Sequence, residues 1–198
     1  MWIRLLTILY FALSAFNIPV QRDHYPLPVF DKVSSFDLLE INEHKNIRVN
    51  LIEKQFSLFI FLSPECPLSQ NYTLTINKLK EKYSQQVNVF GIIPGNAYSV
   101  TEVAAFQKRY HTSFTILIDS KLKFTNYLQA VATPQAILLN NKGCRLYTGA
   151  IDDWVQGLGK KKLSATQHYV ANAIEQTMQQ QPVTIKKTKP YGCKINDY

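Results

Sequence analysis

The stretch FSLFIFLSPECPLSQ, residues 56–70, decides how this chain folds. Phe56 to Leu62 is an apolar run, broken only by Ser57 and bounded by turn residues, the pattern of a strand covered on both faces. Ser63-Pro64-Glu65 ends the run. Cys66 and Pro67 then stand where a helix begins. Proline suits the first helical position, because the N–H it lacks would have no intrahelical partner there. A cysteine at this joint sits among unpaired N–H groups, at the positive end of the helix dipole. Both favour the thiolate, which is the nucleophilic form. The negative charge of Glu65 opposes it. The alternative for Cys66 is an inert, buried packing residue.

Working outward, Tyr72, Ile76, Leu79 and Tyr83 form one apolar stripe along the helix that follows. Val87 to Ile93 reads as a second buried strand, stopped by Pro94-Gly95. Ser99 and Glu102 form a capping-box pattern ahead of a helix predicted to reach about Tyr110. Phe114 to Asp119 is a strand, Lys121 to Ala130 a short helix, and Gln135 to Leu139 a strand. Asn140 to Gly143 is a turn into a hairpin partner, Arg145 to Thr148. Gly149 is suited to a close backbone approach at the Cys66 end. Ser164 and Gln167 suggest a second capping box, opening a helix with Val170, Ile174 and Met178 on one face. Upstream, Phe36 to Asn42 and Ile47 to Ile52 read as strands around a turn. Crossover helices imply parallel strand pairs, and the last hairpin an antiparallel one. The predicted class is α/β, a central mixed β-sheet flanked by helices. One domain is expected over residues 22–180, with an extended basic C-terminal tail at 181–198.

Thr133-Pro134 lies immediately before the strand at 135–139. An X-Pro bond there, across from a reactive cysteine, is a candidate cis peptide. Such a bond would leave neighbouring backbone groups free to pair with an incoming strand. The strings FLSPECPLSQNYTLTINKLKEKY, TPQAILLNNKG, YTGAIDDW and YGCKI together resemble the thioredoxin superfamily. Within it they resemble the peroxiredoxin-like redoxin (AhpC/TSA) group, over roughly Phe36 to Gln180. The resemblance implies a thioredoxin-like fold, with Thr133 and Pro134 at the substrate groove. It makes Cys66 the attacking cysteine, on a peroxide or on a disulfide. Ser63 takes the Thr/Ser place three residues before it, and Ser69 replaces the second cysteine of a CxxC pair. Ser63 and Ser69 are then expected to hydrogen-bond the thiolate. Two departures bear on peroxide chemistry. Phe59 stands where the peroxiredoxin pattern has proline, and Arg109 and Arg145 are the only candidates for its arginine.

A CxxS corner cannot complete a two-cysteine cycle alone, so an attacked Cys66 needs another thiol. The chain has three cysteines, which leaves at least one unpaired in a monomer. With Pro134 beside Cys66, the strand after it leads away for about 17 Å at about 3.3 Å per residue. Cys144 lies just past that far end, and Cα atoms more than about 7 Å apart cannot be bridged without movement. Cys144 is therefore read as a packing residue or free thiol. From Pro182 to Cys193 the chain could span about 36 Å, enough to return across a small domain. Proteins of the resembled group carry a GC pair near the end, which makes Cys193 the candidate resolving cysteine. The alternatives are an unpaired Cys193 or a bond to another chain. His24, His44, His111 and His168 are scattered. A copper site using Cys66 and Cys193 is the alternative function, that of a non-catalytic thioredoxin-fold binding or copper-delivery protein. Asp152 and Asp153 beside Trp154 read as a solvated loop or helix cap, with partner orientation as the alternative.

The composition is that of a globular chain: 198 residues, 46% hydrophobic and 18% charged, with a formal net charge of +8. Three cysteines are too few for a disulfide scaffold or a four-cysteine zinc module. Lysines crowd positions 160–162 and 186–194, read as a solvated basic surface or a surface for anionic partners. No nucleic-acid motif or dinucleotide fingerprint occurs, so neither nucleic acid nor an organic cofactor is expected. Arg4 followed by the apolar run Leu5 to Phe16 reads as a signal peptide or N-terminal anchor over residues 1–20. The expectation is an exported protein, periplasmic or extracellular, held near a membrane if the segment is uncleaved. Its partners would be a disulfide or thiol protein, or a peroxide, together with an electron-donor thiol protein.

Overall fold

Every residue of strand β3 (Phe56–Phe61) is buried, which places it at the centre of the sheet as its apolar run requires. The structure is a computed structural model that describes residues 35–41, 45–50, 54–157 and 159–195. The expected leader, and His24 and His44, lie outside these residues. In chain order, β1 (Ser35–Glu40) and β2 (Lys45–Asn50) precede β3. Then come α1 (Pro67–Lys82), β4 (Val87–Pro94), α2 (Val100–Arg109), β5 (Thr115–Asp119) and α3 (Lys123–Leu128). The short strand β6 (Ala132–Thr133) leads into β7 (Gln135–Asn140) and β8 (Arg145–Gly149). A small hairpin, β9 (Val155–Gly157) and β10 (Lys160–Lys161), precedes α4 (Tyr169–Met178) and β11 (Cys193–Lys194).

The main sheet has the order β2-β1-β5-β4-β3-β7-β8. The β3/β4 and β4/β5 pairs are parallel, and β3/β7 and β7/β8 antiparallel, the mixed thioredoxin-like arrangement the sequence predicts. Alternation along β3 divides the core. Phe56, Leu58, Ile60 and Leu62 face Tyr72, Ile76 and Leu79 of α1, with Val103 of α2 and Ile174 of α4. Phe59 and Phe61 face Phe124 and Leu128 of α3 on the other side. Phe59 stacks on Phe90 at 5.5 Å and meets Phe124 edge-on at 4.9 Å, geometries that add to the burial of their area.

The Ser99 capping box forms as predicted: its hydroxyl accepts from Glu102 N–H, and the Glu102 carboxylate accepts from Ser99 N–H. The expected box at Ser164 does not. Helix α4 begins at Tyr169 after His168, which makes no side-chain cap bond. Thr166 and Gln167 instead donate their N–H groups to the Asp153 carboxylate, at 2.7 and 2.9 Å. A long-range acceptor holds this segment outside the helix, so the local pattern misleads. Met178 is correspondingly exposed, and Ala173 joins Val170 and Ile174 on the buried face.

Asp152 and Asp153 are buried, a correction to the solvated-loop reading. Asp152 accepts from the Tyr72 hydroxyl at 2.6 Å and from Trp154 N–H at 3.0 Å. Asp153 also pairs with Lys162. Lys161 lies over the Trp154 ring, so two lysines of the 160–162 run have partners within the fold.

The tail after α4 packs against the sheet. Thr148 N–H donates to Lys186 O and Thr188 N–H to Thr148 O, both at 3.0 Å, so the tail runs beside β8. The Thr188 hydroxyl meets the Tyr147 hydroxyl at 2.5 Å and accepts from Ala150 N–H at 2.9 Å. Gly149 lies in this approach, with φ of 143°, and a Cβ there would stand 2.3 Å from the Thr188 hydroxyl. The close approach foreseen for Gly149 is thus made by the tail. Among the described residues, no helix is long and apolar enough to cross a membrane.

Candidate active site

Cys66 is the N-cap residue of α1, Pro67 follows in the first turn, and the thiol is 2% exposed. Strand β3 brings the chain to this point, and Leu62 N–H bonds to Ile92 O to hold the strand end against β4. The backbone N–H groups of Leu68 and Ser69 point at the sulfur, the use of free helix-start donors that the sequence suggests. The Thr133-Pro134 peptide is cis. The Cys66 thiol donates to Thr133 O at 3.1 Å, so Cys66 and Thr133-Pro134 do meet.

The tail completes the group. Strand β11 pairs antiparallel with β6, matching Cys193 to Thr133 and Lys194 to Ala132. Ile195 N–H donates to Val131 O at 3.0 Å, and the Thr133 hydroxyl to Cys193 O at 3.4 Å. Gly192 is required by proximity: a Cβ would sit 2.0 Å from Thr133 O and 3.0 Å from Pro134 Cδ. The Cys193 thiol lies within hydrogen-bond reach of Cys66. Cys144 is at the far end of the β7–β8 hairpin, as the strand-length argument places it. All three thiols are free in this structure.

Burial pushes the Cys66 thiol up, but the hydrogen bonds outweigh it. Donation from the Cys193 thiol and from the N–H groups of Ser69, Cys193 and Leu68 holds Cys66 below an ordinary thiol. Cys193 moves the other way. Partial shielding of its sulfur from water, its donated hydrogen bond and the charge of Cys66 push it up to about 11. The pair is therefore divided into the more acidic thiol, Cys66, and the thiol that keeps its proton, Cys193. Because only thiolate is alkylated, the rate at each thiol rises through its pKa. Cys66 is expected to reach half-maximal iodoacetamide reactivity at lower pH than a cysteine in an unstructured peptide, and Cys193, in molecules whose Cys66 is still unmodified, only in strongly alkaline solution. Rates at each site, read by mass spectrometry across pH, check this order.

Ser69 bonds to the sulfur, though through its backbone N–H, while its hydroxyl accepts from Ser63 N–H at 3.1 Å. The Ser63 hydroxyl lies 2.9 Å from the Tyr98 hydroxyl. These two serines thus shape the corner and do not offer hydroxyls to the thiolate. Tyr98 is a site residue that sequence reading missed. So is Gln135, whose side-chain oxygen accepts from Val131 and Ala132 N–H at 2.9 and 3.2 Å and fixes the loop that carries Thr133. Its only sequence signal is a polar residue opening a buried strand.

A cavity of about 420 Å³ opens on the pair, lined by Ser63, Cys66, Tyr98, Thr133, Cys193 and Lys194 among others. A larger cleft of about 500 Å³, between α1 and α4 beneath Trp154, contains no cysteine. The described arginines lie elsewhere. Arg48 pairs with Asp37, Arg109 lies over Tyr110, and Arg145 donates to Leu128 O. His111 follows α2 and His168 precedes α4, and among the described residues no cluster of three metal-ligating side chains forms.

A sheet of this order, with a cysteine at the start of the first crossover helix facing a cis proline, defines a thioredoxin-superfamily protein. Comparison with known proteins narrows this: the redoxin family matches residues 31–154, and the chain belongs to that family. No curated protein sequence matches it. Among solved structures it is similar to an uncharacterised conserved protein of Geobacillus kaustophilus, at 19% identity and a TM-score of 0.73, covering 83% of this chain and 89% of that one. It is also similar to a hypothetical protein of Sinorhizobium meliloti, at 22% identity and a TM-score of 0.70, covering 81% and 90%. A thiol-disulfide oxidoreductase of Bacteroides fragilis shares the fold at 15% identity and a TM-score of 0.51, covering 58% and 86%.

Proposed function

We propose that the chain is a thiol–disulfide oxidoreductase that alternates between a Cys66/Cys193 dithiol and a Cys66–Cys193 disulfide. The observation that carries this reading is β11, which seats Cys193 within hydrogen-bond reach of a Cys66 already supplied with N–H donors. Cys66 thiolate attacks one sulfur of a partner disulfide. A bond forms between Cys66 and that sulfur, the partner's S–S bond breaks, and its departing sulfur takes a proton. Two of the causes that raise Cys193, its bond to Cys66 and the charge there, disappear once Cys66 is in the mixed disulfide. Cys193 then loses its proton, attacks the Cys66 sulfur and releases the partner's second thiol. The partner gains two electrons and two protons, and a dithiol donor restores the pair. The relative potentials of the partners set the direction of net flow.

A disulfide is preferred over a peroxide as substrate because no arginine lines the cysteine cavity among the described residues. The apolar run Leu5 to Phe16 supports placing this chemistry outside the cytoplasm, where disulfides persist. The deciding assay supplies dithiothreitol with either a small disulfide-bonded protein or hydrogen peroxide. The expected result is catalysed reduction of the protein disulfide, with peroxide consumed no faster than by a free thiol. Rapid peroxide turnover without disulfide exchange would reverse the assignment.

A further inference from the structure

The backbone edge of β6 can pair with one strand at a time, and in this structure the chain's own tail holds it. The tail is seated through the β11 ladder and Ile195 N–H. It brings its cysteine to Cys66 with a glycine immediately before it, at a position where a Cβ would lie 2.0 Å from Thr133 O and 2.6 Å from its carbonyl carbon. Backbone, not a flexible side chain, sets that limit, so any segment taking the same register meets it too.

We propose that β11 is a tethered competitor of the partner strand for the β6 edge, and that the edge selects an extended partner segment with glycine immediately before its cysteine. The inference rests on the proposed role of Cys66 as the attacking thiol. The partner segment displaces β11, pairs with Ala132–Thr133 and presents its disulfide to Cys66. Cys66 forms the mixed disulfide and the partner's other sulfur leaves with a proton, as above. For Cys193 to attack, β11 must return to β6, and its return removes the partner's strand from the edge. Resolution and release of the reduced partner are then one movement. A residue with a side chain before the partner's cysteine is disfavoured by the contact that requires Gly192 here.

The test uses the full chain carrying Cys193→Ser, which keeps the tail strand but ends the reaction at the mixed disulfide, and the same chain with Gly192→Val added. Cys144, far from the site, remains in both as an internal reference, and an unchanged rate there with an unchanged circular dichroism spectrum certifies the fold. Two extended peptides, alike except for Gly-Cys or Val-Cys and activated as mixed disulfides with thionitrobenzoate, are compared with iodoacetamide. Gly192→Val is expected to raise the Gly-Cys peptide rate at Cys66 about tenfold, because the docking edge is no longer largely self-occupied. Iodoacetamide, which needs only the cavity, is expected to change far less. The Gly-Cys peptide is expected to outpace Val-Cys by about tenfold as well. Equal acceleration of the peptide and iodoacetamide would reduce the tail to a simple cover and overturn the competition, as would no acceleration of either. Equal rates for the two peptides would overturn the glycine requirement. A Cys66 that reacts with no probe in either variant would instead overturn its assignment as the nucleophile.

Discussion

Cys66→Ser is expected to lower disulfide-exchange turnover by roughly 10³-fold or more, because a hydroxyl cannot supply the nucleophile that the helix start is built to hold. Cys193→Ser is expected to be as damaging to turnover but at a different step. It leaves the first attack possible and removes the thiol that ends it, so a Cys66-linked mixed disulfide accumulates at up to one equivalent. Rates at steady state alone would not separate the two variants. Non-reducing electrophoresis does: the linked species appears with Cys193→Ser and not with Cys66→Ser. The fold should tolerate both changes, since serine matches the size of cysteine and Cys193 lies in an exposed strand. A Cys66→Ser protein that retained full exchange would remove this residue from the mechanism.

The second large effect concerns stability. Asp153→Ala is expected to lower the unfolding free energy at pH 7 by about 1–2 kcal/mol, since it removes the acceptor shared by two part-buried N–H groups, a hydroxyl and a paired lysine. The carboxylate receives N–H bonds from Thr166 and Gln167, the Thr166 hydroxyl at 2.8 Å and the Lys162 ammonium. Burial alone would push this carboxyl up, but Lys162 and the N–H donors hold it well below the usual carboxylate range. The folded state therefore binds the proton less readily than the unfolded chain. The resulting stabilisation is complete above the unfolded carboxylate value near about 3.9 and is lost as pH falls from there toward the folded value. Urea unfolding of both proteins at pH 7 and in acid checks this: the gap between them should narrow as the solution is acidified. A gap that was absent at pH 7 would mean that water replaces the carboxylate without penalty.

Much of this molecule is legible in residues 56–139, where local periodicity carries the information. The apolar run of β3, the stripe on α1, the Ser99 box and the place of Thr133-Pro134 each follow from neighbouring residues. The length of β7 also separates Cys144 from Cys66. What escapes is non-local. Whether Ser164 caps a helix depends on Asp153, a residue from another segment with a stronger claim on the same N–H groups. Strands β6 and β11, at two residues each, are too short to have a period, and they exist only because they meet each other. Gly192 is visible in the sequence as a glycine before a cysteine, but not the carbonyl it must approach. Tyr98 reaches the corner from the loop ahead of α2, and nothing in its neighbours marks it. The serines illustrate a further limit: the motif places Ser63 and Ser69 beside Cys66 correctly, yet gives no account of which of their atoms turn toward the sulfur.

The most direct test oxidises the fully reduced chain with one equivalent of a small disulfide, blocks remaining thiols, and maps the bonds by mass spectrometry without reduction. The expected product is a single intramolecular link between Cys66 and Cys193, with Cys144 recovered as the blocked thiol. Recovery of Cys66 free, or joined to Cys144 or to a second chain while Cys193 is blocked, would contradict the two-cysteine cycle.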